Sequence, residues 1–392
     1  MSNILIVDSD TNAGQEACQA LAAERPDWTV EHADSGSKTL QLIAAAVGSK
    51  AIDVIVCEAN LKDMASFDLL EQIRVENEQT IRLTLTANAD TEAVLGNARA
   101  NQRFLLKPFC AAHLATTIER SMRLRQSMQA DNLKKYMSSV SSIPAIPAIY
   151  DQMMQELSSP HSSLLKVGEI VESDTGLTLT VLKVVNSAFY GINKRVESVG
   201  QAVTLLGVHL IKNITLTTKV FARFDGSTLS ASRLSQLNSE AMRIGALCNQ
   251  FARYARLPRS SVDHCQIAGM MSNVGELVTA VQKQNAVLDG SLSPELVGAS
   301  ILHGWFMPDA VVEAVALQNE SPPRSVDIIT PLMVLHSIRY LQANFTQTSD
   351  AQQEQACRDY LHEFIPEKVV DSWLDAYKAI EQLTADTSSR AA

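Results

Sequence analysis

The stretch VIVCEANLKDM, residues 54–64, starts as a buried β-strand and runs into an acidic, polar loop. Its first four residues are apolar and mostly β-branched, which is typical of a strand buried on both faces of a parallel sheet. The strand ends at a carboxylate, Glu58. Because functional groups of open α/β sheets collect at the carboxyl ends of the strands, Glu58 is the first candidate for a site.

Similar apolar runs occur along the first 125 residues, separated by stretches with helical spacing. The runs are ILIV (4–7), TVEHA (29–33), IRLTLT (81–86) and FLLKPF (104–109). Strands that alternate with helices predict a doubly wound α/β fold around a parallel five-stranded sheet. The polar residues at the strand ends are Asp8, Glu58, Thr86 and Lys107. Their placement predicts a site at the carboxyl edge of the sheet.

The composition limits the class of protein. A chain of 392 residues exceeds one ordinary core and predicts two or three domains. The net charge of −10 argues against nucleic acid as the main partner. The start, MSNILIVDSD, does not resemble a signal peptide, and no apolar run approaches the roughly 20 residues that a membrane span needs.

The six cysteines are scattered without a C-x-x-C pair. This pattern predicts reduced thiols, a cytoplasmic location and no structural zinc.

The remaining chain is predicted to be helical. We expect an α/β domain at 1–121, a helical linker at 122–140, a helical domain at 141–340, and a helical extension with a frayed tail at 341–392. The linker has a basic face around Arg120, Arg123 and Arg125, which favours a solvated helix; a coiled coil that forms a homodimer is the alternative.

Residues 1–125 resemble the receiver domain of two-component response regulators, a flavodoxin-like fold. In that family, two acids after strand 1 hold Mg²⁺, an Asp after strand 3 accepts a phosphoryl group, and a Thr or Ser and a Lys bind its oxygens. The matching residues are Asp8, Thr86, Lys107 and the switch aromatic Phe104. At two positions this sequence differs from the family's pattern: Ser9 replaces the second acid, and Glu58 replaces the phosphoacceptor Asp.

The longer side chain of Glu58 brings its carboxylate towards Lys107, where the family holds the phosphoryl group. Glu58 is therefore either a fixed stand-in for the modified acid or one half of a structural ion pair. Asp53 lies at the wrong end of its strand, and Asp10 and Asp63 lie in loops near the site. With Asp10 as a partial replacement for Ser9, the resemblance implies at most a weakly held Mg²⁺ and no other cofactor.

Residues 141–340 resemble the HDOD domain, an all-α relative of HD-type metal phosphohydrolases. The stretches that carry the resemblance are SSIPAIPAIYDQMMQEL (141–157), VLKVVNSAFYG (181–191), VGQAVTLLGVHLIKN (199–213) and HGWFMPDAVVEAV (303–315). The positions where metal ligands would fall are Asn238, Ser272, Asn273, Gln318 and Asn319. Amides and hydroxyls bind hard divalent metals weakly, so no metal and no catalysis are expected here. The isolated His209, His303 and His336 have no spacing typical of metal ligands.

The two resemblances imply a non-catalytic signal-transduction protein of the two-component type, not an enzyme. Its expected partners are signalling proteins such as a histidine kinase, a cyclase or a phosphodiesterase, and neither nucleic acid nor a membrane. Two alternatives stay open: a residual HD-type phosphohydrolase acting on a cyclic dinucleotide, and a conventional response regulator switched by phosphorylation.

Overall fold

The computed structural model describes most of the chain. The described residues are 2–46, 51–77, 80–86, 103–106, 110–139, 147–157, 159, 163–186, 196–222, 230–283, 292–305, 307–322, 329–345 and 351–391. They divide into two compact units, one formed by the described residues up to 129 with 307–309 and one formed by those of 130–305 and 310–391.

The first unit is built on a parallel sheet. Its strands are β1 (Ser2–Val7), β2 (Trp28–Ala33), β3 (Val54–Glu58), β4 (Ile81–Thr86) and β5 (Arg103–Leu106). Their order across the sheet is β2-β1-β3-β4-β5, and every neighbouring pair is parallel. The five-stranded, doubly wound sheet predicted from the sequence is confirmed.

Helices cover both faces of this sheet. They are α1 (Thr11–Glu24), α2 (Gly36–Ala45), α3 (Ser66–Glu76) and α4 (Ala111–Met128). Alternate residues of β1 point to opposite faces. Ile4 packs in one core with Leu21 of α1 and Ile118 of α4, whereas Leu5 packs in a second core with Ile73 of α3. Burial on both faces explains why these strands read as continuous apolar runs.

The second unit is helical throughout its described residues. Its helices are α5 (Asp131–Ser139), α6 (Ala148–Leu157), α7 (Leu164–Glu172), α8 (Thr175–Val185), α9 (Val199–Leu206), α10 (Val208–Phe221), α11 (Ala231–Tyr254), α12 (Arg259–Met271), α13 (Val274–Lys283), α14 (Pro294–Gly304), α15 (Asp309–Ala316), α16 (Pro331–Asn344), α17 (Ala351–His362) and α18 (Glu367–Ala391). Gly245 of α11 and Gly269 of α12 let these two helices approach closely, since a Cβ on Gly269 would lie 3.0 Å from the Cα of Gly245.

The C-terminal helices belong to this unit. Trp373 of α18 is fully buried, stacks on Phe251 of α11 with ring centroids 4.6 Å apart, and donates from Nε1 to the Phe251 carbonyl at 2.9 Å. Helix α18 continues to Ala391, and the fraying of its last residues stays a prediction. Extending an established helix costs far less than starting one, so weak helix formers near its end are tolerated.

Helix α4 runs through residue 121 to Met128, and the two units divide between Gln129 and Ala130. The predicted domain limits stay a prediction. All six cysteines are free. Within the described ranges, no helix combines the length and apolarity that crossing a bilayer requires.

Candidate functional site

The carboxyl edge of the sheet brings together three of the predicted residues. Val7, the last residue of β1, pairs with Cys57 of β3. Asp8 and Glu58, which directly follow these two residues, therefore lie side by side at the end of adjacent strands. Glu58 pairs with Leu85, one residue before Thr86 on β4. Parallel neighbours lie about 4.8 Å apart, so the three backbone positions share one edge. Lys107 and the side chains of Thr86 and Phe104 lie outside the described part, and the Glu58–Lys107 pair stays a prediction.

The thiol of Cys57 lies beside the acids of this edge. Burial, together with the nearby charges of Glu58, Asp8 and Asp63, raises the pKa of Cys57 to about 12. Asp8 itself is buried, at 2% exposure, and its Oδ1 accepts from the backbone N–H of Asp10 at 2.9 Å. The carboxylates therefore surround a thiol that is not a nucleophile at neutral pH.

The position of the missing second acid is held by a lysine of the β3–α3 loop. The Lys62 backbone N–H donates to Ser9 Oγ at 3.1 Å, and its ammonium donates to the Ser9 carbonyl at 2.9 Å. Asp10, the predicted replacement ligand, caps α1 by accepting from the N–H groups of Asn12 and Ala13. Ser9 has no carboxylate, and one carboxylate oxygen of Asp10 is engaged in the helix cap, so a role of Asp10 in binding Mg²⁺ stays a prediction.

The other two acids considered from the sequence have structural partners. Asp63 accepts from the backbone N–H groups of Gly36 and Ser37 at the start of α2, and these bonds lower its pKa to about 2. Asp53 lies at the opposite end of β3, where it pairs with Arg125 at 3.2 Å. Asp53 is therefore far from the carboxyl edge, as its position in the strand predicts.

In the second unit, three of the predicted positions converge on an arginine of α16. Arg339 donates from Nη2 to Ser272 Oγ at 3.0 Å and to Oδ1 of Asn273, and from Nε to Gln318 Oε1 at 2.8 Å. Its Nη1 donates to Glu240 Oε1 at 3.1 Å. Ser272, Asn273 and Gln318 are buried, so a guanidinium lies where the resemblance implies metal ligands.

The electrostatics of this site suit a fixed cation. Burial lowers the pKa of Arg339, and the carboxylate of Glu240 opposes the shift. Since an ordinary arginine titrates above about 12, its charge persists at neutral pH. Metal does not fit, because the available oxygens are neutral apart from Glu240 and already accept from the guanidinium. In the described part of the chain, no three His, Cys, Asp or Glu side chains are placed to bind a metal ion.

Two predicted positions are not part of this cluster. Asn238 precedes Glu240 by two residues on α11, which places it about 200° around the helix. Its Oδ1 is buried and has no hydrogen-bond partner among the described residues. Asn319 is exposed and donates to Glu295 of α14 at 2.8 Å.

Sequence reasoning missed Arg339 and Glu240. A usable signal was present, because Arg339 is the one strong charge in the otherwise apolar or neutral helix PLMVLHSIRYLQAN. A charge on such a helix requires a partner.

A histidine joins the cluster to the C-terminal helices. His336 contacts the Gln318 carbonyl through Nδ1 at 2.9 Å and the Tyr360 hydroxyl through Nε2 at 2.8 Å. A carbonyl can only accept, so Nδ1 carries the proton and the tyrosine donates to Nε2 of the neutral ring. Burial lowers the pKa of His336, which favours this neutral form. Tyr340 stacks on Tyr360 at 3.8 Å between centroids.

Two known protein families match this chain, one over the first unit and one over the second. Residues 4–119 match the response regulator receiver domain, and residues 143–321 match the HDOD domain.

Individual relatives are distant. An uncharacterised protein of Treponema pallidum is 24% identical over 204 residues, which are 47% of this chain and 39% of that protein. This chain thus spans about two fifths of that relative. The structure of a protein from Shewanella amazonensis, named as a candidate metal-dependent phosphohydrolase, aligns with a TM-score of 0.48 and a sequence identity of 20%. The alignment covers 68% of this chain and 99% of that one. The structure of the signal receiver domain of an HD domain-containing protein from Pseudomonas fluorescens aligns with a TM-score of 0.28 and a sequence identity of 27%. The alignment covers 32% of this chain and 98% of that one.

Proposed function

The chain joins a response regulator receiver domain to an HDOD domain, and we propose that it is a non-catalytic, cytoplasmic signalling protein. In this proposal, the receiver domain is held in one state by Glu58, and the HDOD domain binds another signalling protein. Binding surfaces depend on packing and shape, and neither requires metal ligands.

One observation carries the proposal: the guanidinium of Arg339 is bonded to Ser272, Asn273 and Gln318. A metal phosphohydrolase needs a cation with open coordination positions that activates water. An arginine is a donor without vacant orbitals, and it cannot lower the pKa of a water in that way. The oxygens bonded to it are also withdrawn from any metal.

The receiver domain supports the same conclusion. Attack on a phosphoryl group requires a positioned carboxylate and cations that neutralise the transferring charge. Here the acceptor position is Glu58, one methylene longer than Asp, and the second metal acid is Ser9 bonded to Lys62. Phosphorylation is therefore not the switch of this protein.

The first test is affinity capture with the tagged full chain from lysate of its own organism, with the tag alone as control. We expect enrichment of a histidine kinase, a cyclase or a phosphodiesterase. The proposal fails if none is enriched and deletion of the gene leaves signalling outputs unchanged.

The second test separates binding from hydrolysis. Metal content of the purified chain is measured by mass spectrometry, and hydrolysis of cyclic dinucleotides is measured with added Mn²⁺ or Fe²⁺. We expect no stoichiometric metal and no turnover above a heat-inactivated control. Bound metal with activity lost in Asn273→Ala would instead establish the phosphohydrolase alternative.

The third test addresses phosphorylation. The chain is treated with acetyl phosphate and Mg²⁺, and its intact mass is measured, with Ser9→Asp/Glu58→Asp as the variant that restores the family's acids. We expect no acyl phosphate on the unaltered chain. A labile phosphoryl adduct on the unaltered chain would establish a conventional phospho-switch.

A further inference from the structure

The guanidinium of Arg339 is enclosed by five oxygen atoms. Its acceptors are Gln318 Oε1 at Nε, Glu240 Oε1 and Gln342 Oε1 at Nη1, and Ser272 Oγ and Asn273 Oδ1 at Nη2. A guanidinium has five N–H donors when it is part of arginine, one on Nε and two on each terminal nitrogen. Each donor therefore has one acceptor.

The acceptors are oriented by other parts of the fold. Gln318 Nε2 donates to the carbonyls of Ser272 and Val315, both at 3.0 Å, which turns Oε1 towards Arg339. The Ser272 hydroxyl donates to the Gly269 carbonyl at 2.7 Å, which leaves its lone pairs for the guanidinium. Asn273 presents Oδ1 although its buried Nδ2 then has no hydrogen-bond partner among the described residues.

These oxygens converge from four separate segments of the second unit. Glu240 lies on α11, Ser272 and Asn273 in the turn after α12, Gln318 in the turn after α15, and Gln342 on α16. Buried acceptors that face one another without a donor are costly, because each loses its hydrogen bonds to water. The cluster is therefore suited to a planar cation with donors in several directions.

We propose that these five acceptors form a guanidinium-binding site, which the native chain fills with its own Arg339. Removal of that side chain leaves a site for a free guanidinium ion. This inference deepens the proposed function, since it names the cation that replaces a metal in the HDOD domain. A lysine ammonium fits less well, because its three donors radiate from a single atom.

The test is chemical rescue of the full-length Arg339→Ala variant. Its thermal midpoint is measured with guanidinium chloride at concentrations far below denaturing ones. Sodium chloride controls for ionic strength, and urea controls for planar shape without charge. Arg358→Ala is the control variant, because Arg358 also forms ion pairs, with Glu354 and Asp371, but its side chain is 27% exposed against 18% for Arg339.

We expect guanidinium to raise the midpoint of Arg339→Ala and to leave Arg358→Ala unchanged or lowered, while sodium chloride and urea raise neither. The inference is overturned if guanidinium does not raise the midpoint of folded Arg339→Ala, or if it raises both variants equally.

A second measurement covers the case in which Arg339→Ala does not fold. In the unaltered chain, nitrogen NMR should show separate, slowly exchanging N–H signals for Arg339, because all five donors are bonded. Averaged, rapidly exchanging signals would overturn the inference. Both readouts use the purified chain alone, so a failure here is distinct from a failure to capture a signalling partner.

Discussion

At the scale of single residues, the two charged side chains that matter most are Glu58 and Arg339. In the proposed function, Glu58 stands in place of a shorter, reactive carboxylate, and the guanidinium of Arg339 stands in place of a bound metal cation. Under that proposal, each keeps a charge at its site without the chemistry of the group it replaces.

The first prediction concerns the stability that Arg339 provides. Arg339→Met leaves Glu240 and three buried acceptors without their donor, so we expect a loss of about 3 kcal/mol in unfolding free energy. Arg358→Met, which removes an ion pair to the exposed Asp371, should cost at most about 1 kcal/mol. Urea unfolding of both variants measures the difference. Equal losses would contradict a buried role for Arg339.

The second prediction concerns Asp63 and acid. Hydrogen bonds from Ser37 and Gly36 lower the pKa of Asp63 from its ordinary 3.8 to about 2. A lowered pKa in the folded state means that the carboxylate stabilises the fold above pH 3.8, and that this contribution is lost as pH falls towards 2.

The measurement compares the urea midpoints of the unaltered chain and Asp63→Asn. The gap between them should be constant above about pH 5 and shrink below about pH 4. Asp68→Asn serves as a control on the following helix. A gap independent of pH in the acid range would contradict the role given to Asp63.

At the scale of elements, the sequence predicts the strands and the parallel sheet of the first unit well, because these strands are buried. Strands such as Ile4–Val7 are buried on both faces, so each residue of the run is apolar. The site is less predictable because its partners are distant in the chain. Ser272 and Arg339 are 67 residues apart, and Asp63 caps a helix 27 residues earlier.

The prediction that Asn238 occupies a ligand position shows a second limit of reading a site from the sequence. A motif places a residue along the chain to within a position or two, but a shift of two positions turns a helix by about 200°. Glu240, not Asn238, consequently faces Arg339.

The third prediction concerns the helix contact that holds the Ser272–Asn273 turn. Gly275, at the start of α13, approaches α14 so closely that a Cβ would lie 1.7 Å from the Pro294 carbonyl oxygen. Since that oxygen is backbone, Gly275→Ala must separate the two helices, and we expect a loss of about 2 kcal/mol.

Gly200→Ala is the matched control, because a Cβ there meets nothing within 4 Å. Alanine is the better helix former, so this variant should gain up to about 1 kcal/mol. Unfolding in urea measures both variants. If Gly275→Ala were as stable as Gly200→Ala, the close packing of α13 on α14 would be refuted.

At the scale of the whole molecule, each unit has a side-chain cation in contact with a position where the family resemblance implies a metal ligand. Lys62 bonds to Ser9 in the first unit, and Arg339 bonds to Ser272, Asn273 and Gln318 in the second. A cation that belongs to the chain is present at every metal concentration.

The fourth prediction follows from that independence. A ligand that binds only the folded state at 100 times its Kd adds about 2.7 kcal/mol to stability, which displaces a thermal midpoint by several degrees. Because the cations here are covalently attached, we expect EDTA, Mg²⁺ and Mn²⁺ to leave the midpoint of the full chain unchanged. Calorimetry at constant ionic strength measures this, with Ser9→Asp/Glu58→Asp as the variant that should regain a response to Mg²⁺. A rise with Mn²⁺ that Arg339→Met abolishes would mean that Arg339 supports a metal site and does not replace one.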